Sequence, residues 1–101
     1  MRESTVESYL HEEVVKARGT TRKWVSPGHA GVPDRIAIWP LVGKTYRGTP
    51  ISIVHFIETK ATDGKPKPHQ KREHKRLRDL GCTVLVIDTK AKVDTYVEEN
   101  R

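Results

Sequence analysis

The sequence lacks the residues and the apolar runs on which several classes of protein depend. Cys82 is its only cysteine, which excludes an internal disulfide and leaves no basis for a cysteine-ligated zinc site. No apolar run approaches the roughly 20 residues that a membrane-spanning helix needs. The polar, helix-like amino terminus does not resemble a signal peptide. These absences predict a cytoplasmic protein with no membrane partner.

Hydrophobic residues are also scarce, and charged residues are abundant. The hydrophobic share is 35% and the charged share 32% of 101 residues, which predicts a single domain, residues 1–101, with one core and a charged surface. The 19 Lys and Arg residues outnumber the 13 Asp and Glu residues, so the formal net charge is +6. Such a balance fits either a polyanionic partner, most simply nucleic acid, or only a soluble basic surface.

Helical and strand patterns follow one another along the chain. A capping box, with Ser4 as N-cap, predicts a first helix over residues 5–18 that is preceded by Glu3 and closed by Gly19. Further predicted elements are strands over 20–25, 35–39, 51–57 and 83–88, a loose hairpin connection over 42–50, and helices over 69–80 and 90–98. The order, αβββαβα, predicts an α/β protein with a single mixed β-sheet flanked by helices, whose last two strands form a right-handed parallel βαβ unit.

Two ionisable residues follow the apolar strand over 51–57, which we expect to be buried on both faces. Glu58 and Lys60 are two positions apart, so their side chains point to the same face. If the preceding strand pairs antiparallel with this one, Asp34 at its start converges with Glu58. Two carboxylates at one edge of a sheet suit Mg²⁺ or Mn²⁺, which can acidify a bound water. Lys60 could orient that water or neutralise charge on a phosphate.

These residues also have purely structural interpretations. Asp34 could cap the turn after Pro33, and Glu58 and Lys60 could form a simple ion pair. Taken singly, each structural role fits at least as well as the catalytic one. The combination of the three residues with a basic surface favours the metal site.

The helix over 69–80 is strongly basic. Leu77 and Leu80 mark its predicted inner face, together with His74 and Gln70. Cations at i, i+4 spacing on the remaining surface can contact successive phosphates without reading sequence, although they could equally form an ordinary solvated face. The predicted nucleic-acid contacts are Lys71, Arg72, Lys75, Arg76 and Arg78 of the helix, Lys65 and Lys67 of the preceding loop, and His29 and Arg35, which flank Asp34.

Several of these segments resemble one nuclease family. Pro33-Asp34 followed by Glu58-Thr59-Lys60 is similar to the PD-(D/E)XK pattern. Residues 31–35, 56–61 and 81–87, with Gln70 opening the basic helix, resemble the VRR-Nuc branch of that superfamily over nearly the whole chain. The resemblance implies a restriction-endonuclease-like core and a divalent-metal-dependent endonuclease. In stand-alone, often phage-encoded members it implies a homodimer that acts on branched DNA such as Holliday junctions, in the host cytoplasm.

The resemblance also implies roles for individual residues. It makes Asp34 and Glu58 ligands of Mg²⁺ or Mn²⁺, Lys60 the catalytic lysine, and Gln70 a helix glutamine that supports the site. It places the family's first-helix glutamate, a further metal ligand, on Glu7, although the capping box alone would explain that residue. The predicted function is therefore a metal-dependent endodeoxyribonuclease. The alternative is a non-catalytic nucleic-acid-binding module that uses the helix over 69–80.

Overall fold

A computed structural model describes residues 1–40 and 42–101. Its elements in chain order are α1 (Glu3–Lys16), β1 (Thr20–Lys23), β2 (Arg35–Ile38), β3 (Gly43–Lys44), β4 (Pro50–Ile51), β5 (Val54–Thr59), α2 (Pro68–Asp79), β6 (Thr83–Ile87) and α3 (Lys90–Asn100). The main sheet has the strand order β1-β2-β5-β6, and β3 and β4 form a separate two-stranded sheet. The predicted α/β class, with a mixed sheet flanked by helices, is confirmed.

The pairing of β5 with its two neighbours determines where the polar residues meet. β2 runs antiparallel to β5 with Arg35 opposite Ile57, so the residue that precedes β2 lies near the carboxyl end of β5. β6 runs parallel to β5 with Glu58 opposite Val86. The strands are parallel because α2 returns the chain to the end of the sheet at which β5 begins. The carboxyl end of β5 is therefore enclosed by a strand on each side.

The hydrophobic core lies between the sheet and the two helices α1 and α3. Its buried members are Val6, Leu10 and Val14 of α1, Val93, Tyr96 and Val97 of α3, and Ala37, Trp39, Ile57 and Ile87 of the sheet region. The α1 residues recur every four positions, so they share one face of the helix. None of the described helices is long and apolar enough to cross a membrane.

The amino-terminal end of α1 differs from the prediction. The helix begins at Glu3, and its N-cap residue, Arg2, makes no side-chain capping hydrogen bond. Ser4 therefore lies within the first turn, and the predicted capping box of Ser4 with Glu7 is wrong. The earlier start makes Glu3 the first helical residue, which determines where its carboxylate can reach.

The carboxyl-terminal end of α1 also differs in detail. Arg18, and not Gly19, takes the left-handed conformation, with φ 75°, while the amide of Gly19 donates to the carbonyl of Val14 at 2.9 Å. Gly19 is required for space: a Cβ atom there would lie 2.8 Å from the Val14 side chain and 2.9 Å from the Ile38 carbonyl oxygen. The glycine thus permits α1 to approach the sheet closely.

Two apolar residues that were predicted to be buried, one at the end of α2 and one at the start of β5, are exposed. Leu80 is 82% exposed, whereas His74, which was also predicted on the inner face of α2, is buried together with Glu73. Val54, at the start of β5, is 43% exposed, so β5 is buried on both faces only towards its carboxyl end. In α2, polar side chains and not Leu80 therefore face the interior.

Candidate active site

Three carboxylates converge at the carboxyl end of β5. Glu3 comes from the first turn of α1, Asp34 from the residue before β2, and Glu58 from β5 itself. One carboxylate oxygen of each residue lies within 4.8 Å of the other two. Asp34 and Glu58 meet because the start of β2 lies against the end of β5 in the antiparallel pair. The structure therefore brings together the two acids that the strand pattern paired.

Glu7 lies apart from these acids. Its carboxylate accepts a hydrogen bond from Arg35 Nε at 2.9 Å and lies 3.4 Å from Lys23 Nζ. Arg35 directly follows Asp34, so the two side chains point to opposite faces of the sheet. Glu7 packs on the Arg35 face, and Glu3 is the α1 glutamate that joins Asp34. Sequence reasoning missed Glu3 because it placed that residue before the helix.

Asp34 is oriented by the end of the neighbouring strand. Its Oδ2 accepts hydrogen bonds from both the backbone N–H of Thr59, at 3.0 Å, and the Thr59 hydroxyl. Thr59 is itself fully buried. These two donors hold the Asp34 carboxylate beside Glu58, and no cationic side chain in the described part of the chain forms an ion pair with it.

Glu58 is a buried acid whose surroundings compensate its negative charge only in part. Its side chain is 2% exposed, and burial, followed by the neighbouring carboxyl of Asp34, raises the pKa of Glu58 to about 8 against the opposing effect of Lys60. Its Oε1 atom has no hydrogen-bond partner among the described residues. A buried oxygen without a donor is costly, so this atom fits a site that is completed by a cation.

Lys60 and Gln70 form a hydrogen-bonded network with Glu58. Lys60 Nζ lies 3.1 Å from Glu58 Oε2 and donates to Gln70 Oε1 at 3.1 Å. Gln70 Nε2 donates to the same Glu58 oxygen at 3.2 Å. Gln70 Oε1 also accepts the backbone N–H of Lys67, at 2.8 Å, where α2 begins. A single amide thus connects the start of α2, the acid and the lysine.

His74 is a second α2 residue directed at Glu58. Its side chain is 1% exposed, and its Nε2 lies 3.8 Å from Glu58 Oε1. In the described part of the chain neither of these two atoms has a hydrogen-bond partner. Burial lowers the pKa of His74, and the nearby Arg78 lowers it further. The i, i+4 spacing of Gln70 and His74, which places both on one helix face, was the available sequence signal.

The cations of α2 fall into two groups. Lys75 pairs with Asp79 at 2.8 Å, and Arg76 pairs with Glu73 at 2.9 Å. Arg78 donates to the Val84 carbonyl oxygen at 2.8 Å. Within the described residues, Lys71 and Arg72 of α2, and Lys65 and Lys67 of the preceding loop, have no carboxylate partner at salt-bridge distance. Their charges are available to an external anion.

His29 and Arg35 are already engaged by carboxylates of the protein. His29 Nε2 lies 2.8 Å from Glu73 Oε1, a contact that is the main cause of the lowered pKa of Glu73. Gly31, with φ 91°, approaches α2 so closely that a Cβ atom would lie 2.8 Å from the His69 carbonyl oxygen. These contacts hold the loop before Asp34 against α2 and give His29 a structural role.

Comparison with known proteins agrees with this architecture. No protein-family model matches the sequence. A protein of Acyrthosiphon pisum secondary endosymbiont phage 1, named "Putative nuclease p44", is 44% identical over 89 residues, which are 88% of this chain and 85% of the phage protein. A solved structure described as "VRR_NUC domain" has a TM-score of 0.76 and 32% identity, over 98% of this chain and 97% of the solved chain.

The fold and the similarity over most of both chains define the class of this protein, a nuclease of the PD-(D/E)XK superfamily. Within that superfamily, the chain belongs to the VRR-Nuc family. The family predicted from residues 31–35, 56–61 and 81–87 is thereby confirmed.

Proposed function

We propose that this protein is a divalent-metal-dependent endonuclease that hydrolyses DNA phosphodiester bonds at branched structures such as Holliday junctions, and that it acts as a homodimer. The observation that carries the proposal is the convergence of Glu3, Asp34 and Glu58 within 4.8 Å, with Lys60 Nζ 3.1 Å from Glu58. A structural ion pair would need only one acid for one lysine. Two further acids at the same place are explained by a cation of higher charge.

The three acids fit Mg²⁺ or Mn²⁺ by their chemistry. These hard cations prefer carboxylate oxygens and retain several waters, and Glu3 is exposed, which leaves the group open on one side. The unpartnered Oε1 of Glu58 and the raised pKa of this residue are the features expected of a carboxylate whose charge a cation stabilises. We therefore propose Glu3, Asp34 and Glu58 as the metal ligands, with Glu3 in place of Glu7.

The protein residues around the acids supply positioning and charge. When bound, the cation would provide Lewis-acid stabilisation of the phosphate and a more acidic water. Lys60 can donate to the attacking water or to a non-bridging phosphate oxygen, where negative charge grows as the bond breaks. Gln70 holds Lys60 and Glu58 in one network, so that the ammonium group stays beside the acids. Asp34 is kept in place by Thr59.

The proposed path of the DNA is based on which cations of α2 and its preceding loop already contact another group of the protein and which do not. We propose that Lys65 and Lys67 of the loop and Lys71 and Arg72 of α2 contact phosphates beside the acid cluster. Lys75, Arg76 and Arg78 contribute mainly to the general positive potential, because each is occupied by another group of the protein. Such contacts are independent of base sequence, which suits an enzyme that selects the shape of its substrate.

The experiment that tests this function compares the parent protein with the variants Asp34→Asn, Glu58→Gln and Lys60→Ala. A labelled four-way junction and a linear duplex are incubated with Mg²⁺, Mn²⁺ or EDTA. The parent should cut the junction faster than the duplex and only with a metal. Lys60→Ala should lower the rate about 10²–10³-fold, and the two acid variants should lower it at least as much. Glu98→Gln, an exposed acid of α3, is the matched control.

Two results would contradict the proposal. Salt-sensitive binding without any product in Mg²⁺ or Mn²⁺ would identify a non-catalytic nucleic-acid-binding module. Cleavage at the parental rate by Asp34→Asn or Lys60→Ala would place the active site elsewhere. Light scattering of the purified protein tests the homodimer, since the chain alone has a mass of 11.5 kDa.

A further inference from the structure

A small hairpin occupies the end of the molecule opposite to the acid cluster. It spans residues 42–51 and consists of β3, a turn and β4. It connects the carboxyl end of β2 to the amino end of β5, whereas the acids lie at the other ends of these two strands. Its two strands pair with each other and do not extend the main sheet. A two-stranded hairpin of this kind adds little stability of its own.

The turn of the hairpin presents an aromatic side chain to solvent. Tyr46 is 91% exposed. The turn is defined by backbone hydrogen bonds, from Gly48 to Thr45 and from Thr45 to Thr49, both at 2.9 Å. Gly48 takes φ 83°, a left-handed conformation that glycine adopts without strain. The ring is therefore held at the tip of a regular turn and does not contribute to the core.

The hairpin is positively charged, and no acid among the residues that the structure describes neutralises this charge. It contains Lys44 and Arg47, and residues 35–57 include no Asp or Glu. The Arg47 guanidinium lies 5.3 Å from the centre of the Tyr46 ring, and its Nε donates to the Tyr46 hydroxyl at 2.9 Å. None of the ion pairs between described residues includes Lys44 or Arg47.

We propose that the hairpin is a second nucleic-acid contact, in which the Tyr46 ring stacks on an unpaired base while Lys44 and Arg47 contact the adjacent phosphates. Stacking on an exposed aromatic ring does not depend on the identity of the base, and flanking cations supply affinity for the backbone. The inference rests on the proposed function for its ligand, DNA, since a branched substrate offers bases at the branch point that are easily unstacked. It uses no residue of the acid cluster.

The charge of the hairpin favours DNA over a second copy of this chain as the occupant. Val42 and Ile51 are also exposed, at 61% and 41%, and could in principle pack against another protein. Two hairpins that meet would, however, bring four cations together with no acid from either segment. DNA, in contrast, offers bases that can stack on the Tyr46 ring and phosphates that can pair with Lys44 and Arg47.

The test measures binding in EDTA, where cleavage is excluded, for the parent, Tyr46→Ala and the matched control Tyr46→Phe. The probes are a forked DNA with 2-aminopurine in its unpaired arm and a fully paired duplex of equal length. Tyr46→Ala should bind the fork about 10-fold more weakly and lose the quenching of 2-aminopurine by stacking. Tyr46→Phe, which keeps the ring, should retain both. Binding to the duplex should be equal in all three proteins.

The proposal is overturned if Tyr46→Ala binds and quenches the fork like the parent. It is also overturned if Tyr46→Ala reduces the mass measured by light scattering, which would make the hairpin a contact between copies of this chain. Cleavage in Mg²⁺ is scored separately with Glu58→Gln as reference. If quenching depends on Tyr46 but the parent protein never cuts DNA, the proposed nuclease function is contradicted. The proposed contact between the hairpin and DNA is then supported independently.

Discussion

The two ends of β5 have opposite properties. At the carboxyl end Ile57, Glu58 and Thr59 are buried, whereas Val54 at the amino end is 43% exposed. The buried end is enclosed by β2 and β6, approached by α2, and contains the converging acids. The exposed end leads into the hairpin, with its aromatic tip and its cations. Burial, more than residue type, therefore separates the candidate active site at one end of this strand from the candidate contact surface at the other.

The physical reason lies in the cost of charge in each setting. An isolated charge is expensive in a buried position and cheap in an exposed one. Burial therefore raises the pKa of Glu58, while Lys44 and Arg47 are exposed to water and need no partner within the protein. The buried end is suited to a cation that compensates the charge of the acids, and the exposed end is suited to a polyanionic partner.

The largest expected effect at the buried end is a loss of metal affinity that only one of two α1 glutamates should cause when it is replaced. Glu3→Gln should weaken Mn²⁺ binding at least about 10-fold, because Glu3 lies with Asp34 and Glu58. Glu7→Gln should leave Mn²⁺ affinity unchanged and instead lower the free energy of unfolding by about 1–3 kcal/mol through the lost contact with Arg35. Electron paramagnetic resonance measures free Mn²⁺, and urea unfolding measures stability.

The two substitutions are chemically identical, so each is the control for the other. If Glu7→Gln loses the metal while Glu3→Gln keeps it, Glu7 would be the third metal ligand. The proposed cluster of Glu3, Asp34 and Glu58 would then be wrong.

A pH titration of stability tests the burial of Glu58. Its pKa is raised from 4.5 to about 8 in the folded protein, so the folded state retains a proton that the unfolded chain has already released. The contribution of this group to stability is therefore fully present below about pH 4.5 and is lost as the pH rises to about 8. In EDTA, the free energy of unfolding of the parent should fall more steeply with pH over this range than that of Glu58→Gln.

The difference between the two proteins isolates Glu58 from the other titrating groups. With saturating Mn²⁺ the steeper fall should disappear, because the bound cation stabilises the charged carboxylate. Parallel stability curves of parent and Glu58→Gln in EDTA would show that the carboxyl end of β5 is not the low-dielectric environment that its burial indicates.

The smallest expected effect concerns α2, which borders the buried end. Lys71→Ala should reduce the slope of log affinity against log salt by about one unit, as expected when one phosphate contact is removed. Lys75→Ala changes the net charge equally but removes a lysine that already pairs with Asp79, so its effect should be smaller. Affinities for duplex DNA at several salt concentrations provide the comparison. Equal slopes for the two variants would mean that the DNA does not follow α2 beside the acids.

Much of the fold follows from local patterns in the sequence. The alternation of side chains along β5 and the antiparallel return from β2 bring Asp34 and Glu58 together, and the helix between β5 and β6 makes these strands parallel. The first turn of α1 was less predictable, because helix starts depend on small capping preferences that tertiary contacts override. The inner face of α2 was predicted in part: His74 and Gln70 were placed on it, but the hydrophobicity of Leu80 wrongly assigned that residue to it, and the burial of Glu73 was missed.

The sequence by itself determined the order of the elements, the basic surface and the pairing of two acids near a lysine, because these depend on periodicity and composition over short distances. Only the tertiary structure decided that Glu3 approaches the acids while Glu7 binds Arg35, that Glu58 is deeply buried beside His74, and that Tyr46 stands exposed. Each of these depends on how one element packs against another, which no local pattern records.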